Sequence, residues 1–363
     1  MRLELVKRPG RSKLFSALSP FIAFALTLIA GAIMFSLLGK SPLAALHVYF
    51  IEPVTQLWQI HELAIKAAPL ILIAVGLAVC YRANVWNIGA EGQFVIGAIL
   101  GSVLPVVFPD TQGAWVLPLM LVMGMIGGAA YAAVPAFLKA RFNTNEILTS
   151  LMLVYVAQLF LDWLVRGPWR DPKGFNFPQT VQFSPSATLA ELLPMQGRAN
   201  LGIVFALVAA VLVWVLISKT LKGFEVRVMG SSPRAGHFAG FRLNRTVFFA
   251  FLLSGALAGL AGICEVSGAI GQLQPSISPG YGFTAIVVAF LGRLNPLGIV
   301  AAGLVLALTY LGGESVQTAL GVSDKVARVF QGMLLFFVLG CDTLINYHIR
   351  VVASPGGDGA EAS

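Results

Sequence analysis

The 363 residues are 57% hydrophobic and only 11% charged, with a net charge of +8. Soluble domains carry about 25% charged residues, so a soluble fold is excluded and a polytopic membrane protein is implied. The cations gather at the ends of apolar runs instead of forming a basic patch interleaved with aromatics, so the positive balance is no sign of nucleic-acid binding.

A spanning helix needs about 20 apolar residues, and on that ruler the chain is all-α with about ten transmembrane helices. The first five predicted spans are Leu18–Leu38, Leu63–Tyr81, Ile88–Phe108, Ala114–Leu138 and Ile147–Val165. The second five are Leu201–Ser218, Val247–Ser267, Tyr281–Gly292, Pro296–Gly312 and Val326–Tyr347. Residues 1–17 form a basic arm carrying Arg2, Lys7, Arg8, Arg11 and Lys13. The arm and first span imitate a signal peptide, but the apolar run is too long for an h-region, so a retained helix is expected. The transmembrane domain occupies 18–348. The tail, 349–363, ends Gly-rich and acidic and is expected to be disordered.

Charge sets an expected topology. With both termini in the cytoplasm (N-in/C-in), only Lys40, Lys66, Arg166, Arg170, Lys173, Arg198, Lys325 and Arg328 of the 24 Lys and Arg lie elsewhere. Two exterior segments then stand out. Ser41–Glu62, with Tyr49, Trp58 and His61, suits an interfacial helix. The loop 166–200, with Pro168, Pro172, Pro178, Pro185 and Pro194, suits an ordered connection.

The central loop, 219–246, is the densest cationic block: Lys219, Lys222, Arg227, Arg234, Arg242 and Arg245. Ser232 before Pro233 predicts a helix start, and Gly240 can end that helix after about two turns. Ala235, Phe238 and Ala239 fall on one side of it. A helix this short needs something to pack against. Two readings stand, a solvated loop on anionic lipid and a docking element for a cytoplasmic partner.

Polar and aromatic residues inside the apolar runs are the candidate lining of a solute path: Asn87, Glu91, Gln93, Thr149, Ser150, Tyr281, Phe283 and Thr284. Each also has a structural reading. Asn87 and Glu91 can cap the third helix, and Asn143 with Glu146 resembles a capping box at the fifth. Tyr281, Phe283 and Thr284 can stack on a planar ligand, or the aromatics can form an interfacial belt. Enzyme chemistry is not indicated. Gly39-Lys40-Ser41 is the tail of a Walker A motif without its head, and Gly280, Gly282 and Ala285 follow no strand. The four His and three Cys are scattered, so no metal set is expected.

Four stretches carry a family likeness: N-I-G-A-E-G-Q at Asn87–Gln93, N-E-I-L-T-S-L-M-L at Asn145–Leu153, K-G-F-E-V-R-V-M-G at Lys222–Gly230, and G-Y-G-F-T-A-I-V-V-A-F-L-G-R-L-N-P at Gly280–Pro296. In these the chain resembles permease subunits of bacterial ABC importers, of the branched-chain amino acid/ribose-type family and its nucleoside and simple-sugar branch. The resemblance implies an ABC importer permease fold in the inner membrane, with no cofactor in this chain. It further implies a separate cytoplasmic ABC ATPase that binds ATP and Mg, and an extracytoplasmic substrate-binding lipoprotein or periplasmic protein. A second permease subunit is implied too, a paralogue making a heterodimer. ATPase coupling would fall on Lys222, Gly223, Phe224, Glu225, Arg227, Gly230, Pro233, Arg234, Ala235 and Gly240. Gly236 departs from the alanine usual in relatives. The alternatives are an ion-coupled secondary transporter using Glu91, Asp162, Glu265, Glu314 or Lys66, and a membrane scaffold without flux.

Overall fold

The computed structural model describes residues 2–7, 13–192, 198–323 and 325–352. It divides into two compact units, Met1–His47 with Val316–Ser363, and Val48–Ser315. In chain order the elements are β1 (Arg2–Lys7), α1 (Lys13–Leu37), α2 (Pro42–Phe50), α3 (Leu57–Arg82), α4 (Ala90–Gly101), α5 (Val103–Val107), α6 (Val116–Phe142) and α7 (Glu146–Arg166). There follow α8 (Gly202–Lys219), α9 (Leu221–Ser231), α10 (Pro233–Phe238), α11 (Leu243–Glu265), α12 (Tyr281–Leu291), α13 (Pro296–Leu320), α14 (Lys325–Asn346) and β2 (Tyr347–Val352).

In the first unit α1 packs on α14, with the Phe35 and Phe330 rings 5.8 Å apart. β1 pairs antiparallel with β2, Leu5 opposite Ile349. This departs from a purely helical reading and from a tail disordered from 349. Residues 353–363 of the expected tail lie outside the described residues.

The second unit is organised around α3. Every residue from Ala67 to Tyr81 is buried, because this helix is apolar on all sides and other helices surround it. Beside it, α6 and α11 meet through two small-residue stripes, Gly124 with Gly128 and Gly255 with Gly259. A Cβ on Gly128 would meet Gly259 Cα and N at 2.8 Å, so the two backbones touch where side chains would hold them apart. The outer helices α7 and α8 keep one apolar face exposed, including Leu159, Trp163 and Leu212.

All ten predicted apolar runs are helical, but among the described residues six helices are long and apolar enough to cross a membrane. The third run breaks at Ser102 into α4 and α5. The eighth, α12, has 11 residues. At 1.5 Å per residue that is about 16 Å, half a bilayer's hydrocarbon thickness. α4 and α12 are therefore half-helices. The segment read as interfacial is also shorter than expected. α3 starts at Leu57 and takes in Trp58, His61 and Glu62, leaving α2 and a turn at Glu52–Val54. The loop 166–200 lies along the chain that follows α11. The amides of Thr180, Phe183 and Leu189 donate to the carbonyls of Leu273, Gly271 and Ser267 at 3.0, 2.8 and 2.9 Å.

Candidate functional site

Two places concentrate the residues singled out in the sequence. The first is the basic end of the second unit, where four connections meet. Arg82 Nε donates to the Leu294 carbonyl at 2.8 Å, and Asn244 Nδ2 donates to the Ala140 carbonyl at 3.3 Å. Lys139 pairs with Glu146 at 3.0 Å. Gly230 sits directly against the Arg82 carbonyl, where a Cβ has no room.

The central loop holds two helices where one was expected. α9 starts at Thr220, whose hydroxyl accepts the Gly223 amide at 3.2 Å. It buries Gly223, Val226 and Met229, three residues apart on one face, and Gly223 fits against the end of α8. Glu225 then ties this helix to α11. Its carboxylate pairs with Lys222 at 2.7 Å and accepts the Thr246 hydroxyl at 2.8 Å. Burial alone would raise the Glu225 pKa, but these two hydrogen bonds and the charges of Lys222 and Arg245 outweigh it and hold it below the ordinary value.

α10 has the expected ends. The Ser232 hydroxyl faces the Ala235 amide at 3.5 Å and Pro233 occupies the first turn. At the far end Gly240, at φ +83°, lets its own amide reach the His237 carbonyl and the Phe241 amide reach the Gly236 carbonyl, both at 3.0 Å. That double closure is a Schellman cap. Gly236 has a packing reason to be glycine, since a side chain there would strike Met229 Sδ. The helix therefore rests on α9 through its glycine and turns Phe238 fully outward, 95% exposed; Leu221, at the start of α9, is 87% exposed. Lys222, Phe224, Arg227, Pro233, Arg234 and Ala235 belong to the same two helices, and Phe224, half-exposed, lies against the Phe241 ring.

The second place is where the half-helices meet. Glu91 is 1% exposed, and its Oε2 accepts the Gly282 amide at 2.5 Å. It caps a helix, as one reading held, but the helix is α12, 191 residues away, and not its own. Ser278 Oγ completes this cap by accepting the Gly280 and Tyr281 amides at 3.1 and 2.9 Å, and its hydroxyl faces Glu91. Between them, two side chains serve three of the amides that a helix N-terminus leaves open.

Asn87 does not cap α4 by the expected geometry; Gly89 stands at that position. The fully buried Asn87 amide instead forms a closed pair with Gln93, at 2.9 and 3.0 Å, and donates to Ser254 Oγ at 3.1 Å. Its Oδ1 also accepts the Gly89 amide at 3.0 Å. All four hydrogen-bonding positions of that side chain are thus used inside the chain. Ser150 accepts the Ile88 amide at 3.2 Å and stitches the extended segment before α4 to α7. Thr149 turns back onto its own helix, bonding the Asn145 carbonyl at 3.0 Å. The α7 cap is Asn145, which accepts the Ile147 amide at 2.9 Å, and not Asn143. Asn143 instead closes α6 in the left-handed region, at φ +51°, because α6 runs on to Phe142.

On α12 the three expected residues separate. Tyr281 and Thr284, one turn apart, face inward, and Phe283 is 40% exposed on another side. The inward pair enters a polar cluster. Thr284 Oγ1 and Tyr310 Oη lie 2.8 Å apart, and the Tyr281 hydroxyl faces Glu265. Lys66 pairs with Glu314 at 2.8 Å, with Glu265 close by. From the sequence, Glu265, Lys66 and Glu314 are candidates only for ion sites of the alternative transporter. Their separation along the chain hides that they belong together.

Comparison with known proteins places this arrangement. The family model described as "Branched-chain amino acid transport system / permease component" matches residues 59–339. A glucose ABC transporter permease protein of Haloferax volcanii is 35% identical over 95% of this chain and 92% of its own length. A guanosine ABC transporter permease protein of Bacillus subtilis is 30% identical over 94% and 96%. A nucleoside ABC transporter permease protein of Lactococcus lactis is 29% identical over 90% and 92%. A solved chain described as a metal-chelate type ABC transporter, inward-facing, aligns over 88% of this chain and 98% of its own at TM-score 0.44 and 15% identity. The chain thus belongs to the family of branched-chain amino acid transport system permease components, non-enzymatic membrane subunits of ABC transporters whose ATPase is a separate polypeptide.

Proposed function

We propose that this chain forms part of the path by which a nucleoside or simple sugar enters a bacterial cell across the inner membrane, driven by ATP. Its relatives for glucose, nucleosides and guanosine support that substrate class. In this reading the basic end faces the cytoplasm, as the positive-inside rule requires, and both termini lie on that side of about ten spans. The exposed Phe238 and Leu221, with Lys222, Arg227 and Arg234 of the same two helices, dock the ATPase. A paralogous second permease and an extracytoplasmic binding protein complete the transporter. Solute passes near Tyr281 and Thr284.

The observation that carries the coupling role is the doubly capped α10, which presents a bare aromatic side chain from a braced platform. Isolated two-turn helices do not persist in water, so this one is held for a purpose beyond its own stability. Four of the five ionisable groups named for an ion-coupled carrier are engaged elsewhere. Glu91 caps α12, Lys66 holds Glu314, and Asp162 holds Arg166 at 2.8 Å. The test is uptake by vesicles containing the assembled transporter. Guanosine or glucose should accumulate only with hydrolysable ATP and the binding protein present. Accumulation without nucleotide hydrolysis refutes the proposal.

A further inference from the structure

We infer that the part-buried cluster spanning α3, α11, α12 and α13, open to solvent at Glu314, is a solute-contact site within the permease, selecting uncharged, hydroxyl-bearing solutes and turning back their phosphate esters. This rests on the transport reading above.

The bland account is that the cluster only zips helices together. Two observations go beyond it. Gln59 Oε1 is buried and has no hydrogen-bond partner, on a residue 7% exposed. Gln59 and Lys66 are seven residues apart on α3, about 20° from eclipsed, so they share the stripe that meets Glu314. A helix zipper gains nothing from an orphaned acceptor, whereas a solute hydroxyl would satisfy it. The second observation is where the groups are mounted. Glu265 immediately precedes the π-turn Val266–Ile270, and Tyr281 is the first residue of a half-helix. Interrupted helices at membrane depth are tolerated where they are enclosed by protein or line a path, and π-turns recur at functional sites.

The chemistry then sets the class of solute. Carboxylate oxygens of Glu265 and Glu314 accept hydrogen bonds from hydroxyls, and the phenol of Tyr281 can both donate and accept. Neighbouring hydroxyls on a sugar ring match that set. A phosphate group brings acceptors and negative charge. The cluster's ammonium, Lys66, is already held by Glu314 at 2.8 Å, so a phosphate would face carboxyls without a free counter-charge.

The test uses the complete transporter in vesicles, supplied with radiolabelled guanosine, glucose, guanosine monophosphate and glucose 6-phosphate. Wild type should take up a neutral member of the set and neither phosphate ester. Glu265→Gln, Tyr281→Phe and Gln59→Leu should each cut neutral uptake about ten-fold, with binding-protein-stimulated ATP hydrolysis retained. Tyr281→Phe keeps the ring that packs on Phe94 and Tyr310, so it decides the matter if another variant fails to assemble. Wild-type uptake in Tyr281→Phe and Glu265→Gln, or equal uptake of the phosphate esters, overturns this inference and leaves the transport reading standing. Failure of the wild type to move any of the four overturns both.

Discussion

Gly282→Ala tests the cap between the half-helices most directly. A Cβ at position 282 would lie 2.6 Å from Glu91 Cα and 2.8 Å from its Cβ, and closer still to its backbone nitrogen. These are backbone-anchored atoms that cannot rotate away, and ordinary carbon contacts are about 3.5–4.0 Å. α12 and α4 must therefore part by roughly 1 Å, and the 2.5 Å hydrogen bond from the Gly282 amide to Glu91 breaks with them. Overpacking costs about 1–3 kcal/mol and an orphaned buried donor about as much again, so the loss is about 2–6 kcal/mol. Glu91→Gln retains a carbonyl acceptor and should cost far less than Glu91→Leu, which leaves the Gly282 amide without one. The assay is thermal loss of the monodisperse peak in detergent. Gly282→Ala should melt roughly 3–8 °C below wild type, and Gly332→Ala, with no atom within 4 Å, should not. The reasoning fails if Gly282→Ala melts with wild type, or if Glu91→Gln and Glu91→Leu melt alike.

Other expectations follow from the same contacts. Glu225 has its folded pKa held below the unfolded value of about 4.3, so its tie to Lys222 and Thr246 stabilises above that value and is lost as pH falls through the depressed one. Glu225→Gln should therefore flatten the acid limb of a melting-temperature profile recorded from pH 6 to 3, and an unchanged limb would refute the assignment. Phe238→Asp should reduce co-purification of the ATPase at least ten-fold, about 1.4 kcal/mol, and leave the permease's own melting temperature unchanged. Charge reversal at both Arg227 and Arg234 should do the same, and wild-type recovery of ATPase in either variant removes this surface from docking. Gly128→Val wedges α6 from α11 against backbone on both sides, and should cost about 3 kcal/mol, read as a drop in melting temperature.

The long elements were legible because a run of apolar residues leaves the backbone little choice in a membrane: every predicted run is helical. What escaped depends on partners distant in the chain. K-G-F-E-V-R-V-M-G contains two glycines and two valines, poor helix formers, and Gly223 and Gly230 serve in α9 because they seat it on α8 and on the Arg82 carbonyl. Glu91 was legible as a capping residue, but nothing local names a client 191 residues on. The α6–α11 seam is different. Its paired glycines four apart are plain in M-G-M-I-G-G and S-G-A-L-A-G, and the small-x-x-x-small rule would have joined them. The separation of Phe283 from Tyr281 and Thr284 was likewise implied by helical periodicity, since residues 281 and 284 share a face and 283 does not.

The short length of α12 gives the two sites a common mechanical element. Its N-terminal amides are held by Glu91 and Ser278 beside the polar cluster. Three residues past its other end, the Leu294 carbonyl is held by Arg82 Nε, and the Arg82 carbonyl is covered by Gly230 of α9. A full-length span packs along about 30 Å, whereas α12 packs along about 16 Å, on α3 and α4 with the Phe290 and Tyr81 rings 5.2 Å apart, and adds polar bonds at each end. A shift of α9 driven from the basic end must either break the Arg82–Leu294 bond or carry the start of α12 with it. In the second case Tyr281 and Thr284 move against Tyr310 and Glu265, which sit on other helices. The two ends of α12 are thus tied by hydrogen bonds to both places where the singled-out residues gather.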